Sequence, residues 1–351
     1  MRARSLAGFG SVAVYATVVS AAALAAGAAA QAPSASGPGV ADSASWTVPR
    51  TPWGDPDLQG VWPGTDMMGV PQQRPTDVGE RGALTDEEFT ARREQVRRQE
   101  ASESEEFVAP RGPGGRGGAG TGAGPGHWGE HGQAQRQTSL VVDPPDGRIP
   151  PMTPEGERRT AAIPAGRYYD NDGRGTFGGP EDLSVYDRCI TRGVVGSMMP
   201  VGYNAGNQIV QAPGWVALRN EMIHETRIIP LDRRPHLSPA LRGYMGDSRG
   251  RWQGDTLVVD TTNFNGLTGV GANGRAIYTS DALHLVERFS RLDEDTLLYE
   301  VTIDDPRTWS RSWTMAFPLK RDPGYGMFEY ACHEGNYGLR NVLSASRAAG
   351  R

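Results

Sequence analysis

Hydrophobic and polar residues alternate along much of the chain between Asn207 and Tyr337. Leu297, Tyr299, Val301 and Ile303 take every second position against Leu298, Glu300, Thr302 and Asp304, the period of an antiparallel strand with one buried face. Trp313, Met315, Phe317 and Leu319 repeat it. Apolar runs over residues 208–219, 222–229, 252–264, 283–291 and 328–332 predict further strands, and residues 292–295 a polar hairpin connection. Ser139-Leu-Val-Val-Asp143 predicts a short strand, closed by the turn residues Pro144-Pro-Asp-Gly147. Seven or so antiparallel strands with little helix predict a mainly β fold, a meander closed as a calycin-like barrel or folded as a sandwich.

The N-terminal third reads differently. Thr85 and Glu88 have the form of a capping box, and the helix they start runs to about residue 100. Phe89 and Val96 are nearly its only large apolar residues, which predicts a solvated helix. Residues 111–132 are glycine-rich and read as a flexible linker, with His127 and His131 solvated inside it. The expected divisions are a targeting segment over 1–30, an extended region with the charged helix and linker over 31–135, and a β-rich domain over 136–351.

The first thirty residues have the form of a cleaved signal. Arg2 and Arg4 precede an apolar run rich in Ala and Val, and Ala28-Ala-Ala30 offers small residues for cleavage. A membrane anchor is the alternative, but the alanine-rich run is only weakly hydrophobic and Gln-Ala-Pro-Ser follows it. The expected location is the periplasm or the medium, with no later transmembrane segment. Cleavage would remove two positive charges and no negative ones from a chain whose formal charge is already −5. Such a balance gives no support to nucleic-acid or anionic-membrane partners. Lys320 is the only lysine and so the one candidate for amine chemistry.

Cys189 and Cys332 are the only cysteines. In an oxidising compartment they read first as a disulfide closing a loop of about 140 residues, worth ~4–5 kcal/mol in the chain-entropy model. A catalytic thiol beside His333 and a pair of unlinked buried cysteines are the alternatives.

Three familiar patterns occur out of context. Gly269-Val-Gly271-Ala-Asn-Gly274 matches the dinucleotide fingerprint, but a strand rather than a helix follows, so a glycine-rich hairpin loop is the reading. Gly246-Asp-Ser248-Arg-Gly250 matches the hydrolase nucleophile elbow, again with a strand ahead, which favours a polar turn over Ser248 as nucleophile. Gly60-Val-Trp62 and Gly250-Arg-Trp252 match the G-x-W triplet of lipocalin-type barrels, a short motif in a chain with 47 glycines and 8 tryptophans.

The strings Trp53-Gly-Asp-Pro-Asp-Leu-Gln-Gly-Val-Trp62, Gly246-Asp-Ser-Arg-Gly-Arg-Trp-Gln-Gly-Asp-Thr-Leu-Val-Val-Asp-Thr-Thr-Asn-Phe264 and Tyr330-Ala-Cys-His-Glu-Gly-Asn-Tyr337 resemble those of a family of secreted bacterial proteins. The resemblance covers most of the chain after residue 30. It implies export and one shared β-fold, and it carries over no catalytic residue.

Four of the six histidines (His224, His236, His284 and His333) fall in the strand-rich region. Imidazoles titrate near neutrality and bind metals, so their gathering there marks a candidate site. His224 is expected on a strand facing a lumen, His236 in a loop at its mouth, and His333 with Glu334 in a turn anchored by Cys332. These four are the candidate catalytic residues, as bases and acids. Tyr203, Arg188, Arg227, Asp247 and His284 are the candidate substrate-binding residues. Zinc or another divalent ion on the four histidines and a carboxylate is an open alternative, although no compact ligand spacing is present. No other cofactor is expected.

The sequence supports three readings of function. The first is an exported enzyme using acid–base chemistry (elimination, hydration, isomerisation or hydrolysis) on a carbohydrate-like or small polar compound. The second is a non-catalytic ligand-binding protein of the periplasm or cell surface. The third is an envelope-interaction protein.

Overall fold

The computed structural model describes residues 46–104, 129–130, 132–162, 177–271 and 277–349. The expected signal over 1–30 lies outside them, as do His127, His131 and most of the glycine-rich segment.

Two antiparallel sheets organise the chain. The first has the order β1-β3-β4-β5, from Gly60–Val61, Asn207–Ala212, Trp215–Asn220 and Thr226–Pro230. The second has the order β2-β12-β11-β10-β7-β6, from Val141–Asp143, Trp313–Lys320, Thr296–Asp304, His284–Arg291, Thr256–Thr262 and Asp247–Gln253. A small ribbon pairs β8 (Gly269–Val270) with β9 (Ile277–Tyr278), so the glycine-rich run lies inside a hairpin. Among the described residues four helices join them: α1 (Asp86–Ser104), α2 (Pro154–Ala162), α3 (Val194–Met198) and α4 (Tyr337–Ala349). The fold is mainly β and antiparallel. Both larger sheets are open among the described residues, each with two unjoined edges.

The alternation read from the sequence sets the layers. Tyr299, Val301 and Ile303 of β11 and Trp313, Met315, Phe317 and Leu319 of β12 are fully buried. They share one core with Ile209, Val216, Leu218 and Ile229 from the first sheet. Leu58, Trp62 and Met67 enter the same core, so the segment before the helix α1 supplies packing as well as an edge strand. Tyr299 packs between Phe289 and Phe317, tilted to the first and edge-on to the second, with ring centres 5.1 and 5.3 Å away.

Helix α1 starts as expected. Thr85 N–H donates to Glu88 Oε2 at 2.8 Å and Glu88 N–H to Thr85 Oγ1 at 3.3 Å, the reciprocal pair of a capping box.

Several strand expectations are corrected. Residues 208–219 form a hairpin, β3 and β4, because Pro213-Gly214 breaks the run with Gly214 at φ 79°. Residues 222–224 form a 3-10 turn instead of a strand start. Residues 252–264 are likewise divided at Gly254, φ 60°, between β6 and β7. The Gly246–Gly250 string is the beginning of β6 rather than a turn, and Ser248 is buried against Thr261 Oγ1 at 3.0 Å. Residues 328–332 pair with no strand. Phe328 is 71 % exposed and Tyr330 and Cys332 are half-buried, so the segment buries no continuous apolar face.

Candidate functional site

Strand register assembles one polar group on the outward face of the six-stranded sheet. Arg249 of β6 pairs with Asp260 of β7, and Asp260 with Val286 of β10. With period two, Asp247, Arg249, Asp260 and His284 all point away from the core. The β5–β6 loop folds back over them. Its anchor is Asn263, whose Nδ2 lies 3.1 Å from the carbonyls of Leu237, Ser238 and Leu241.

That fold-back places His236 between two carboxylates. Its Nδ1 lies 2.9 Å from Asp247 Oδ2 and its Nε2 2.9 Å from Asp260 Oδ1. The other oxygen of Asp260 meets His284 Nε2 at 2.9 Å. Asp247 is held further by Leu237 N–H at 3.0 Å and by the Arg249 guanidinium at 2.6 Å. A chain Arg249–Asp247–His236–Asp260–His284 results. It contains three imidazole-to-carboxylate contacts, each needing a hydrogen, whereas two neutral rings bring only two.

These contacts shift three members of the chain. The hydrogen bond to Asp260 raises His284 above the usual imidazole value; burial opposes it, and the charges of Asp260 and Asp304 add to it. The same bond is the main cause holding Asp260 below the usual carboxylate value, with burial opposing and His236 assisting. Burial would raise Asp247, but Leu237 N–H, His236 and Arg249 together lower it. Among the described residues Nδ1 of His284 has no hydrogen-bond partner, and the side chain is 39 % exposed.

A second polar neighbourhood surrounds the disulfide. Cys189 and Cys332 are joined, with Cα atoms 5.7 Å apart, so neither is a thiol nucleophile. Tyr186 and Tyr330 place their hydroxyls 3.5 Å apart, and Tyr203 hydrogen-bonds into the same group. Burial pushes Tyr186 and Tyr203 up to about 12. His224 belongs to the 3-10 turn, at φ 45° after Ile223 at φ 62°, and its Nδ1 is 2.8 Å from the Tyr330 carbonyl. Positive φ at a β-branched residue is a costly conformation that the surrounding packing must hold. An open concavity of about 300 Å³ is lined here by Tyr186, Asp187, Tyr330, Glu334 and Asn336, together with the bridge itself.

Most of the expected site residues thus separate into two groups, and Arg227 belongs to neither. His236, Asp247 and His284 belong to the chain on the sheet. His224, Tyr203 and Glu334 belong to the disulfide neighbourhood, where His333 is exposed and opens the turn that Asn336 N–H closes onto its carbonyl at 3.3 Å. Arg188 precedes the bridged Cys189. Arg227 is elsewhere. It is buried between the sheets in a two-pronged pair with Glu287 at 2.6 and 2.8 Å, and Tyr299 Oη donates to the same carboxylate at 3.1 Å. Lys320 donates to Thr296 Oγ1.

Sequence reasoning missed two members of the chain, Arg249 and the central Asp260. The signal of Asp260 is present in Thr256-Leu-Val-Val-Asp-Thr-Thr262, where a lone carboxylate interrupts an apolar strand. Among the described residues no three His, Cys, Asp or Glu side chains are arranged to hold a metal ion, and no helix is long and apolar enough to cross a membrane.

Comparison with family models, with curated proteins and with solved structures returns no match.

Proposed function

We propose that the protein is an exported enzyme that moves protons on a small polar or carbohydrate-like compound, with His284 as its general acid–base and Asp260 orienting it. One observation carries this reading. Asp260 occupies Nε2 of His284 and leaves Nδ1 open on an exposed ring. A carboxylate behind an imidazole fixes the ring and stabilises its charged form, the arrangement that activates a histidine for proton transfer. His236 holds Asp260 from the other side, and Asp247 with Arg249 holds His236. Elimination, isomerisation, hydration and hydrolysis all need such a group.

The test is turnover of a panel of sugars, uronate glycosides and esters by the mature protein, with and without chelator. Once a substrate is found, His284→Ala and Asp260→Asn should each lower kcat/KM, His284→Ala by ~10²–10⁴-fold, the range for loss of a general acid–base. Full activity in His284→Ala would overturn the assignment.

The concavity beside the disulfide favours a second reading, a non-catalytic binder of a small polar ligand. Two carboxylates, two phenols and an amide line it. Calorimetry with the same panel separates the two readings. Binding without turnover, abolished by Tyr330→Ala and untouched by His284→Ala, would support the binder.

A further inference from the structure

Two carboxylates, one buried and one half-buried, are hydrogen-bonded to Asn204, the residue after Tyr203. Glu221, directly after β4, is 1 % exposed. Its Oε1 accepts from Asn204 Nδ2 at 2.9 Å and Phe328 N–H at 3.0 Å, and its Oε2 from Tyr325 Oη at 2.6 Å. Glu130 arrives from the end of the glycine-rich segment. Its carboxylate accepts from Asn204 N–H at 2.5 Å and Ala205 N–H at 3.2 Å, and its own N–H donates to Gly202 O at 2.8 Å. Both its oxygens also approach Tyr325 Oη, at 3.0 and 3.1 Å.

Tyr325 has one hydroxyl hydrogen for two carboxylates. The shorter contact, to Glu221, takes it. The approach of Glu130 to the same phenol oxygen is then attractive only if Glu130 supplies a hydrogen of its own. With both acids ionised, two negative charges face each other across one phenol. With Glu130 protonated, Glu130 donates to Tyr325 and Tyr325 donates to Glu221. Space permits little adjustment, since a Cβ at Gly206 would come within 2.7 Å of both Glu221 Oε2 and the Tyr325 ring.

We propose that Glu130, Tyr325 and Glu221 form a proton-operated clasp. It fastens the arm leading to Cys332, and the end of the glycine-rich segment, to the four-stranded sheet; it is closed when Glu130 is protonated and loosened when Glu130 ionises. Burial raises Glu130 above the usual carboxylate value; the backbone donors and Tyr325 oppose this, and the Glu221 charge adds to it. Among the described residues the charged and titratable groups facing the clasp are Glu221 after β4 and Tyr325 on the arm, while Asp66 accepts Gln133 N–H at 2.8 Å further along the segment. None of these is a cation that would stabilise ionised Glu130. Closure is therefore complete below the ordinary glutamate range and is lost as pH rises through the raised value. Tyr330, which lines the concavity, lies on the same arm, so the clasp holds that part of its rim. The inference does not depend on the enzymatic reading.

Hydrogen exchange on the full chain tests it, read as protection factors of residues 325–331 between pH 4.5 and 7.5, with residues 297–303 as the reference. Wild-type protection of the arm should fall with rising pH, on the order of tenfold for each unit by which Glu130 is raised. Glu130→Gln keeps an uncharged side chain with a donor, so its arm should stay protected throughout. Tyr325→Phe should show low protection at every pH. Equal pH dependence in wild type and Glu130→Gln, or constant wild-type protection, would overturn the clasp. If Glu130→Gln fails to fold, as its reference peptide would show, the contrast between wild type and Tyr325→Phe decides.

Discussion

Asp260 Oδ2 receives His284 Nε2 at 2.9 Å across neighbouring strands of one sheet. The pair is local in space and remote in sequence, and it is the most chemically directed contact on the outward face.

Its pH dependence has a definite sign. His284 is raised in the fold, so its contribution to stability is complete below the unfolded value near ~6.5 and is lost as pH rises through the folded one. Asp260 is lowered, so its contribution is present above ~3.9 and is lost as pH falls through its folded value. Asp260→Asn should move the His284 titration, followed by NMR of the imidazole Cε1 proton, down to lower pH. It should also flatten the fall of Tm above neutrality. An unmoved titration would show that the carboxylate does not govern the ring.

Arg227 and Glu287 join the two sheets through the core, with side chains 5 % and 0 % exposed. Arg227→Met leaves a buried carboxylate without its cation, which should cost ~3–5 kcal/mol in denaturant unfolding. Replacing both residues with apolar ones of similar size should recover much of that loss. A double variant as unstable as the single one would mean that the pair holds the sheets in a way packing cannot replace.

The Cys189–Cys332 bridge spans 143 residues. Double replacement by serine should destabilise the chain by ~5 kcal/mol in the chain-entropy model. Thiol titration of denatured, unreduced protein should find no free sulfhydryl. Two free thiols per chain would contradict the bridge.

The glycine-rich segment offers a contrast within a few residues. Replacing 111–128 by a short Gly/Ser linker should leave Tm within a few degrees of wild type, because closure entropy changes by only ~0.6 kcal/mol for each doubling of loop length. Extending the replacement through 132 should lower Tm clearly, since it removes Glu130 and Gly132, and Gly132 packs against the backbone of Asp66 with no room for a Cβ. Equal melting of the two variants would show that these contacts carry no stability.

The parts of the fold legible in the sequence are those where one local rule decides. Period-two alternation marks β11 and β12 because each buries a single face, and Thr85 with Glu88 marks the start of α1 because capping is a contact three residues long. The hairpins at Pro213-Gly214 and Gly254 are harder to see because apolar residues continue on both sides of the turn. Helix α4 gives a weaker signal still. Its apolar face, Leu339, Val342 and Leu343, packs among the described residues on Phe177 and Leu183, a satellite cluster remote from it in sequence. The site is hidden for another reason. Histidine positions are visible in sequence, but their partners are chosen by register, and Asp260 meets His236 and His284 only because β6, β7 and β10 lie side by side. Arg227 has the look of an available cation and is instead enclosed, a distinction that depends on the second sheet.

The disulfide also divides the chain by connectivity. Strands β3 to β12 lie inside the covalent ring closed by Cys189 and Cys332, whereas β1 and β2 lie before it. Those two outside strands each occupy an edge, β1 beside β3 and β2 beside β12. The ring therefore holds the body of both sheets, and the free N-terminal chain works as edging for each. A nick inside the ring would leave the protein in one piece until it is reduced. A nick between β2 and Cys189 would leave both edge strands held by noncovalent contacts alone, and their loss would open the hydrogen-bonding edges of β3 and β12 to pairing with another molecule.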